Sequence, residues 1–319
     1  MKTLNERFSV LSMRRRYEVW FLRVGMSDGS GAWWFRYWLM NPGRGGCASD
    51  PQGQPVQVWA TWFPREGKPE TWIQGFPVES LGAGGAGLSN RGASPFFLEI
   101  GENRIGENGC CGRMEVSGQK ISWDLRYRST FRVELSSKGW IGFSRTPHSD
   151  AVFSGEIGLN ERTFHGEPLG YGMQGHNCGY RHRNFWTWAH IHFPGARGQS
   201  STFEALIYEM PFGLMFRKAV LWHNGEKYTF RKFRESARDS RQLEWKLECT
   251  SSQGAHVEVR VSGRERFVHR LPYVKTDCAG RFEVANDSLA LARIVLQLPG
   301  RAAEELTTDS GAVLEMVGS

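Results

Sequence analysis

GEPLGYGMQGHNCGYRHRNFWTWAHIHF, residues 166–193, is the stretch from which the rest of the chain can be read. Five of the nine histidines lie in it or just before it (His165, His176, His182, His190 and His192), beside Trp186 and Trp188. Successive side chains of a β-strand point to opposite faces. Read as a strand, residues 185–193 place Trp186, Trp188, His190 and His192 on one face. Phe185, Ala189, Ile191 and Phe193 take the other. A face that mixes indole with imidazole suits neither a plain core nor a plain surface. It reads as the wall of a ligand cavity.

Outward from this stretch the same alternation recurs. Ile121, Trp123, Leu125 and Tyr127 alternate with Ser122, Asp124 and Arg126. Leu243, Trp245, Leu247 and Cys249 alternate with Glu244, Lys246 and Glu248, and Val257, Val259 and Val261 with Glu258 and Arg260. Each reads as a strand with one wet face and one buried face. Asn224-Gly225 and Ser117-Gly118 have the chemistry of two-residue hairpin turns, in which both central residues take positive φ. Helix signals are nearly absent and there is no βαβ rhythm, so the fold class is all-β, built of antiparallel barrels or sandwiches. Residues 41–55 and 79–95 read as loops. Neither is a phosphate loop, since no Gly-Lys-Ser/Thr follows the glycines.

A weak internal echo divides the chain. Tyr17-Glu18-Val19-Trp20 and Phe185-Trp186-Thr187-Trp188 each open a strand followed by a loop and a second aromatic strand, at an offset of 168 residues. Two β domains of similar build are expected, residues 1–180 and 181–319.

The chain has 319 residues, 40% hydrophobic and 23% charged, the balance of an ordinary globular protein. Seven of the thirteen tryptophans precede residue 73, a surplus that favours pleated, half-buried surfaces. The net charge is +7, with 31 arginines against 9 lysines. The basic residues are scattered, however, and the one dense run, Arg14-Arg15-Arg16, has no nucleic-acid motif beside it. No nucleic-acid partner is expected. No run of 18 apolar residues occurs and the N-terminus lacks an apolar signal core, so a cytoplasmic protein without a membrane span is expected. The six cysteines show no C-x-x-C spacing and read as buried free thiols. Nothing indicates the oligomeric state.

YEVWFLRV followed by WWFRYWLMNP, the central GYGMQGHNCG with the Trp186-Thr187-Trp188 strand, and the closing FEVANDSLALARIVL together resemble a known superfamily. It is the tandem lipocalin-like (calycin) superfamily of carotenoid hydratases of the hydroxyneurosporene synthase type, tocopherol cyclases and lipocalin-like cycloaddition enzymes. The sequence departs from the family pattern at Cys178, where tryptophan is common, and lacks an aspartate before His176. The resemblance implies two lipocalin-like barrels in tandem with an apolar ligand between them.

Protonating an alkene leaves a carbocation, so such a site needs an acid tuned by a dry pocket. Aromatic faces would stabilise the cation. Glu18, on a strand face with Trp20 and Leu22, is the expected buried acid, and a structural ion pair with an arginine such as Arg36 is its plainer alternative. His176 with Asn177 is the second candidate, for proton transfer or orientation. Trp20, Trp38, Tyr171, Trp186, Trp188, His190 and His192 are the expected substrate-binding residues. No metal and no cofactor are expected, although His190 and His192 could chelate one if His176 or Glu204 converged on them. Asn286, Asp287 and Ser288 read as a turn, with a strand cap or a reach into the inter-domain cleft as the alternatives. The expected function is cofactor-independent hydration, cyclisation or cycloaddition of an apolar terpenoid, carotenoid or polyketide-like molecule in an elongated inter-domain cavity. A non-catalytic carrier and a metal-dependent β-barrel enzyme are the alternatives.

Overall fold

The structure is a computed structural model that describes residue 5 and residues 15–41, 50–82, 96–137, 142–180, 182–195 and 200–318. Antiparallel strands fill nearly all of it. The first eleven are β1 (Arg16–Met26), β2 (Gly31–Asn41), β3 (Val56–Pro64), β4 (Glu70–Phe76), β5 (Phe96–Ile100), β6 (Asn103–Gly106), β7 (Gly109–Val116), β8 (Gln119–Arg128), β9 (Val133–Ser137), β10 (Gly142–Leu159) and β11 (Arg162–Tyr180). They form one sheet in the order β4-β3-β2-β1-β11-β10-β8-β7-β6-β5, with β9 beside β10. The sheet curls until β4 lies against β7, which nearly closes a barrel.

The second sheet holds β12 (Trp186–Phe193), β13 (Ser201–Glu209), β14 (Met215–His223), β15 (Glu226–Asp239), β16 (Glu244–Ser251), β17 (His256–Ser262), β18 (His269–Val274), β19 (Arg281–Gln297) and β20 (Glu304–Val317). A β17–β19 pairing closes it, and β18 continues from β19. Closure removes the unpaired strand edges that would otherwise invite association. Among the described residues no helix is long and apolar enough to cross a membrane.

The turn chemistry behaves as the sequence implies. Asn224 and Gly225 take φ 51° and 79°, Ser117 and Gly118 take 52° and 77°, and each pair joins adjacent strands. Four cysteines are free thiols, but Cys278 is disulfide-bonded, which corrects the expectation of free thiols throughout. Arg16, from the basic run, is buried beside the Tyr180 ring rather than solvated, while Arg14 lies outside the described residues.

Three of the apolar clusters among the described residues follow from strand parity. Trp20, Leu22, Trp33, Phe35 and Tyr37 fill the first barrel. Ala189, Ile191, Phe193, Phe203 and Trp245 fill the second. Val19, Phe21, Trp34, Trp38, Trp188, Leu206 and Val313 form a third, made by the outer faces of both barrels. Strands β1 and β2 are therefore apolar on both faces, because the second barrel covers the side that would otherwise be wet. Phe21 meets Trp34 in a stack at 5.7 Å and Trp188 edge-on at 6.0 Å. Such pairs contribute about 0.5–1.5 kcal/mol each beyond their buried area.

The facing of the repeat seen in the sequence is not kept in the structure. An offset of 168 sets Trp188 on Trp20, yet Trp20 points into the first barrel while Trp188 faces outward into the seam. A one-residue slip exchanges the two faces of a strand.

Polar contacts fasten the seam. Arg23 of β1 is buried, and its guanidinium donates to the Ser288 carbonyl at 2.7 Å and to the Ser310 carbonyl. Burial lowers its pKa to about 10, although nearby Asp287 opposes the shift. Asn286, Asp287 and Ser288 are thus not a turn. They lie within β19, beside an irregularity in its pairing with β20 between Asp287 and Ala290, and the Ser288 carbonyl reaches Arg23 of the other barrel.

Candidate functional site

Between the barrels lies a cavity of about 170 Å³. Four indoles wall it, Trp34 and Trp38 from β2 and Trp186 and Trp188 from β12, together with Val19, Phe21 and Leu206. All of them come from faces turned away from the barrel interiors. The alternation read in residues 185–193 put Trp186 and Trp188 on such a face, and there they stand.

The polar end of the cavity is built from residues far apart in sequence. Arg36 and Glu315 form an ion pair at 3.3 Å, with their side chains only 11% and 14% exposed. Glu315 also accepts from Trp186 Nε1 at 2.9 Å and from Asn286 Nδ2 at 3.3 Å. The Arg36 guanidinium sits 5.0 Å, 5.5 Å and 5.2 Å from the ring centres of Trp34, Trp59 and Tyr273. Burial lowers its pKa, and the Glu315 charge pulls it back up. A desolvated cation held by three ring faces and one carboxylate is well anchored, since each face contributes about 1–2 kcal/mol.

Tyr17 and His182 complete this end. The His182 ring stacks on Tyr17 at 4.8 Å and on Trp38 at 5.4 Å. Its pKa falls to about 3, through burial first and the nearby Arg36 charge second, so the imidazole is neutral. Burial raises the Tyr17 pKa well above the usual phenol value, so its hydroxyl stays protonated. Neutral donors and the cations Arg36 and Arg183 of the lining can polarise a bound oxygen. They are poorly suited to protonating carbon.

The remaining expected residues are distributed as follows. Asn177 and Trp38 line the cavity. Glu18 and His176 are brought together, His176 Nε2 lying 2.9 Å from Glu18 Oε1, with both side chains fully buried. They share the interior of the first barrel with Trp20, which stacks on His176 at 4.5 Å, and none of the three lines the cavity. The cause is parity, because the cavity takes the Tyr17, Val19 and Phe21 face of β1. Nor does Glu18 pair with Arg36, which sits on the outer face of β2.

Tyr171, His190 and His192 lie elsewhere in the seam, away from the cavity lining. Tyr171 stacks on His192 at 5.5 Å, and the His190 Nε2 is 2.8 Å from the Ser149 carbonyl. Burial lowers the pKa of His190 to about 3 and of His192 to about 4. Among the described residues no group of three His, Cys, Asp or Glu side chains is placed to hold a metal ion.

One titratable group was given only a minor part by the sequence. Glu204 of β13 is 1% exposed and accepts from Thr146 Oγ1 at 2.8 Å and Trp188 Nε1 at 2.9 Å. Burial raises its pKa to about 7, against the downward pull of those two hydrogen bonds. It stands behind the cavity wall, reached through the Trp188 indole. Period-2 reading from Leu206 places Glu204 on the cavity-side face of its strand, a signal available in the sequence.

No protein-family model matches the chain, and no curated protein matches it. Solved structures do. Kievitone hydratase from Nectria haematococca is similar with a TM-score of 0.56 at 12% identity, over 100% of this chain and 93% of that one. CghA, solved with Sch210972, is similar with a TM-score of 0.60 at 10% identity, over 95% of this chain and 88% of that one. A Nitrosomonas europaea protein provisionally described as AttH gives 0.52 at 11%, over 100% and 99%. At these identities the likeness establishes the fold. The chain has the tandem lipocalin-like architecture, two antiparallel barrels joined at a shared seam.

Proposed function

We propose that the cavity binds one end of an apolar terpenoid, carotenoid or polyketide-like molecule and converts it without a cofactor. The supporting observation is the convergence of four indoles from both barrels on the buried Arg36–Glu315 pair and the Tyr17 phenol. Size narrows the reading. An apolar cavity of about 150 Å³ holds a benzene, so 170 Å³ takes one ring system or a short prenyl segment. The bulk of a long molecule would remain outside.

Of hydration, cyclisation and cycloaddition, the lining fits best a cycloaddition, or a ring closure that starts without protonating carbon. Direct protonation of an alkene needs an acidic group facing the substrate. The carboxylate in the lining, Glu315, is engaged by Arg36, Trp186 and Asn286. Ring closure needs a folded substrate and donors aimed at an oxygen that gains charge. Tyr17 and Arg36 would supply the donors, Glu315 would fix Arg36, and the tryptophans would hold the fold of the chain. In this reading Glu18 and His176 tie β1 to β11 beneath the cavity wall and position Tyr17 and Asn177. The names of kievitone hydratase and of CghA with its ligand Sch210972 agree with a small-molecule role for the shared fold.

Mass spectrometry of small molecules that co-purify with the native protein would identify the substrate class. Incubated with that substrate, the wild type is expected to form product, and Tyr17→Phe and Arg36→Met to lose most turnover while still binding it. Turnover unchanged in both variants would overturn the assignment. Recovery of unaltered ligand from the wild type would make the protein a carrier.

A further inference from the structure

The connection between β13 and β14, residues 210–214, reads MPFGL and is apolar throughout. Phe212 at its tip is 99% exposed and Leu214 60% exposed. Large apolar side chains exposed together in one loop mark an interaction site better than single ones do. The backbone holds it there: Phe212 has φ 66° and Gly213 φ 70°, and Met210 N donates to the Leu214 carbonyl at 2.7 Å. Positive φ is unfavourable for a bulky residue, so the loop displays Phe212 at a local cost.

The strands beneath lead to the cavity. Phe216 pairs with Tyr208 and stacks on it at 4.7 Å, while Tyr208 and Leu206 line the cavity. At about 3.3 Å per strand residue the loop begins about 7 Å beyond Tyr208. Cationic side chains ring its base. Arg217, Arg231 and Lys232 are exposed, and Arg183 lies 5.7 Å from the Tyr208 ring centre. Lys218 has a lowered pKa, from burial first and then from the charges of Lys227 and Arg231. Glu209 and Glu134 are acids among them, and the Glu134 charge pulls the Lys218 pKa back up.

We propose that this apolar tip with its cationic collar docks the protein on an anionic phospholipid surface, so that an apolar substrate passes from the lipid into the cavity. Shallow insertion of large apolar side chains and attraction between basic residues and anionic lipid act together at such surfaces. The inference is independent of the chemistry assigned to the cavity, since a carrier would dock in the same way.

Flotation with vesicles tests it. The full chain is mixed with vesicles of phosphatidylglycerol and phosphatidylcholine, or of phosphatidylcholine alone. The wild type is expected to float with the anionic vesicles and not with the neutral ones, and added salt should release it. Phe212→Asp with Leu214→Asp should lower binding at least tenfold. Arg217→Ala with Arg231→Ala should lower it about 25-fold, about fivefold per cation removed. All four side chains are exposed, so an unchanged melting temperature would confirm that the variants fold. Absence of wild-type binding to anionic vesicles, or wild-type binding by the aspartate variant, overturns the proposal. So does a concentration-dependent dimer that the aspartate variant abolishes while no vesicle binding occurs, which would mean that the tip meets a second copy of the chain.

Discussion

Replacing Glu204 by glutamine should change how stability depends on pH, and the structure fixes both sign and size. Glu204 has an ordinary value near 4.5, and burial carries it to about 7 in the folded chain. The folded state therefore holds a proton that the unfolded state gives up sooner. The protonated group's contribution is complete below pH 4.5, shrinks as pH rises, and is gone above about 7. The gap from 4.5 to about 7 corresponds, at about 1.36 kcal/mol per pH unit, to about 3 kcal/mol. Glutamine is neutral at every pH, and its side-chain oxygen can still accept from Thr146 and Trp188. The variant should match the wild type to within about 1 kcal/mol near pH 4.5 and exceed it by about 3 kcal/mol at pH 8. Urea unfolding of both proteins across that range, followed by tryptophan fluorescence and by circular dichroism, measures the difference. A difference that stays flat with pH would refute the reasoning and mean that Glu204 is ionised without penalty in the seam.

Three further outcomes follow from other parts of the structure. Arg36→Met leaves Glu315 with the Trp186 and Asn286 donors and should cost about 3 kcal/mol, while Arg36→Met with Glu315→Leu should cost about 1–2 kcal/mol less than the two single changes added together. Strict additivity in unfolding experiments would show that the pair is not coupled. Leu206→Trp should fill the cavity and weaken ligand binding at least tenfold, measured by fluorescence titration, while stability changes by less than about 1 kcal/mol because the space is already open. Gly225→Ala should cost about 1–2 kcal/mol in thermal unfolding, since Gly225 sits at φ 79°. A neutral result would mean that the hairpin relaxes out of its observed turn.

Much of this molecule can be read from alternation alone. Ile121, Trp123, Leu125 and Tyr127 point inward as their spacing requires, and residues 186–192 set two indoles and two imidazoles on one outward face. The candidate site was less legible. Trp38, Asn177, Trp186 and Trp188 line the cavity, but Glu18, Trp20 and His176 fill the barrel interior beside it. Both faces of β1 and β2 are apolar, so the burial signal that usually tells inside from outside is absent there.

What the sequence determined by itself is local: the strand period, the two hairpin turns, and which side chains of a strand lie together on one face. These depend on backbone geometry within a few residues. Which of those faces became the cavity was decided by the docking of one barrel on the other. That contact covers the Tyr17 and Trp38 face and sets Arg36 against Glu315, 279 residues away in the chain. It also dries Glu204 enough to raise its pKa. Charge pairing and desolvation depend on distances across the seam, and only the folded pair of barrels sets those distances.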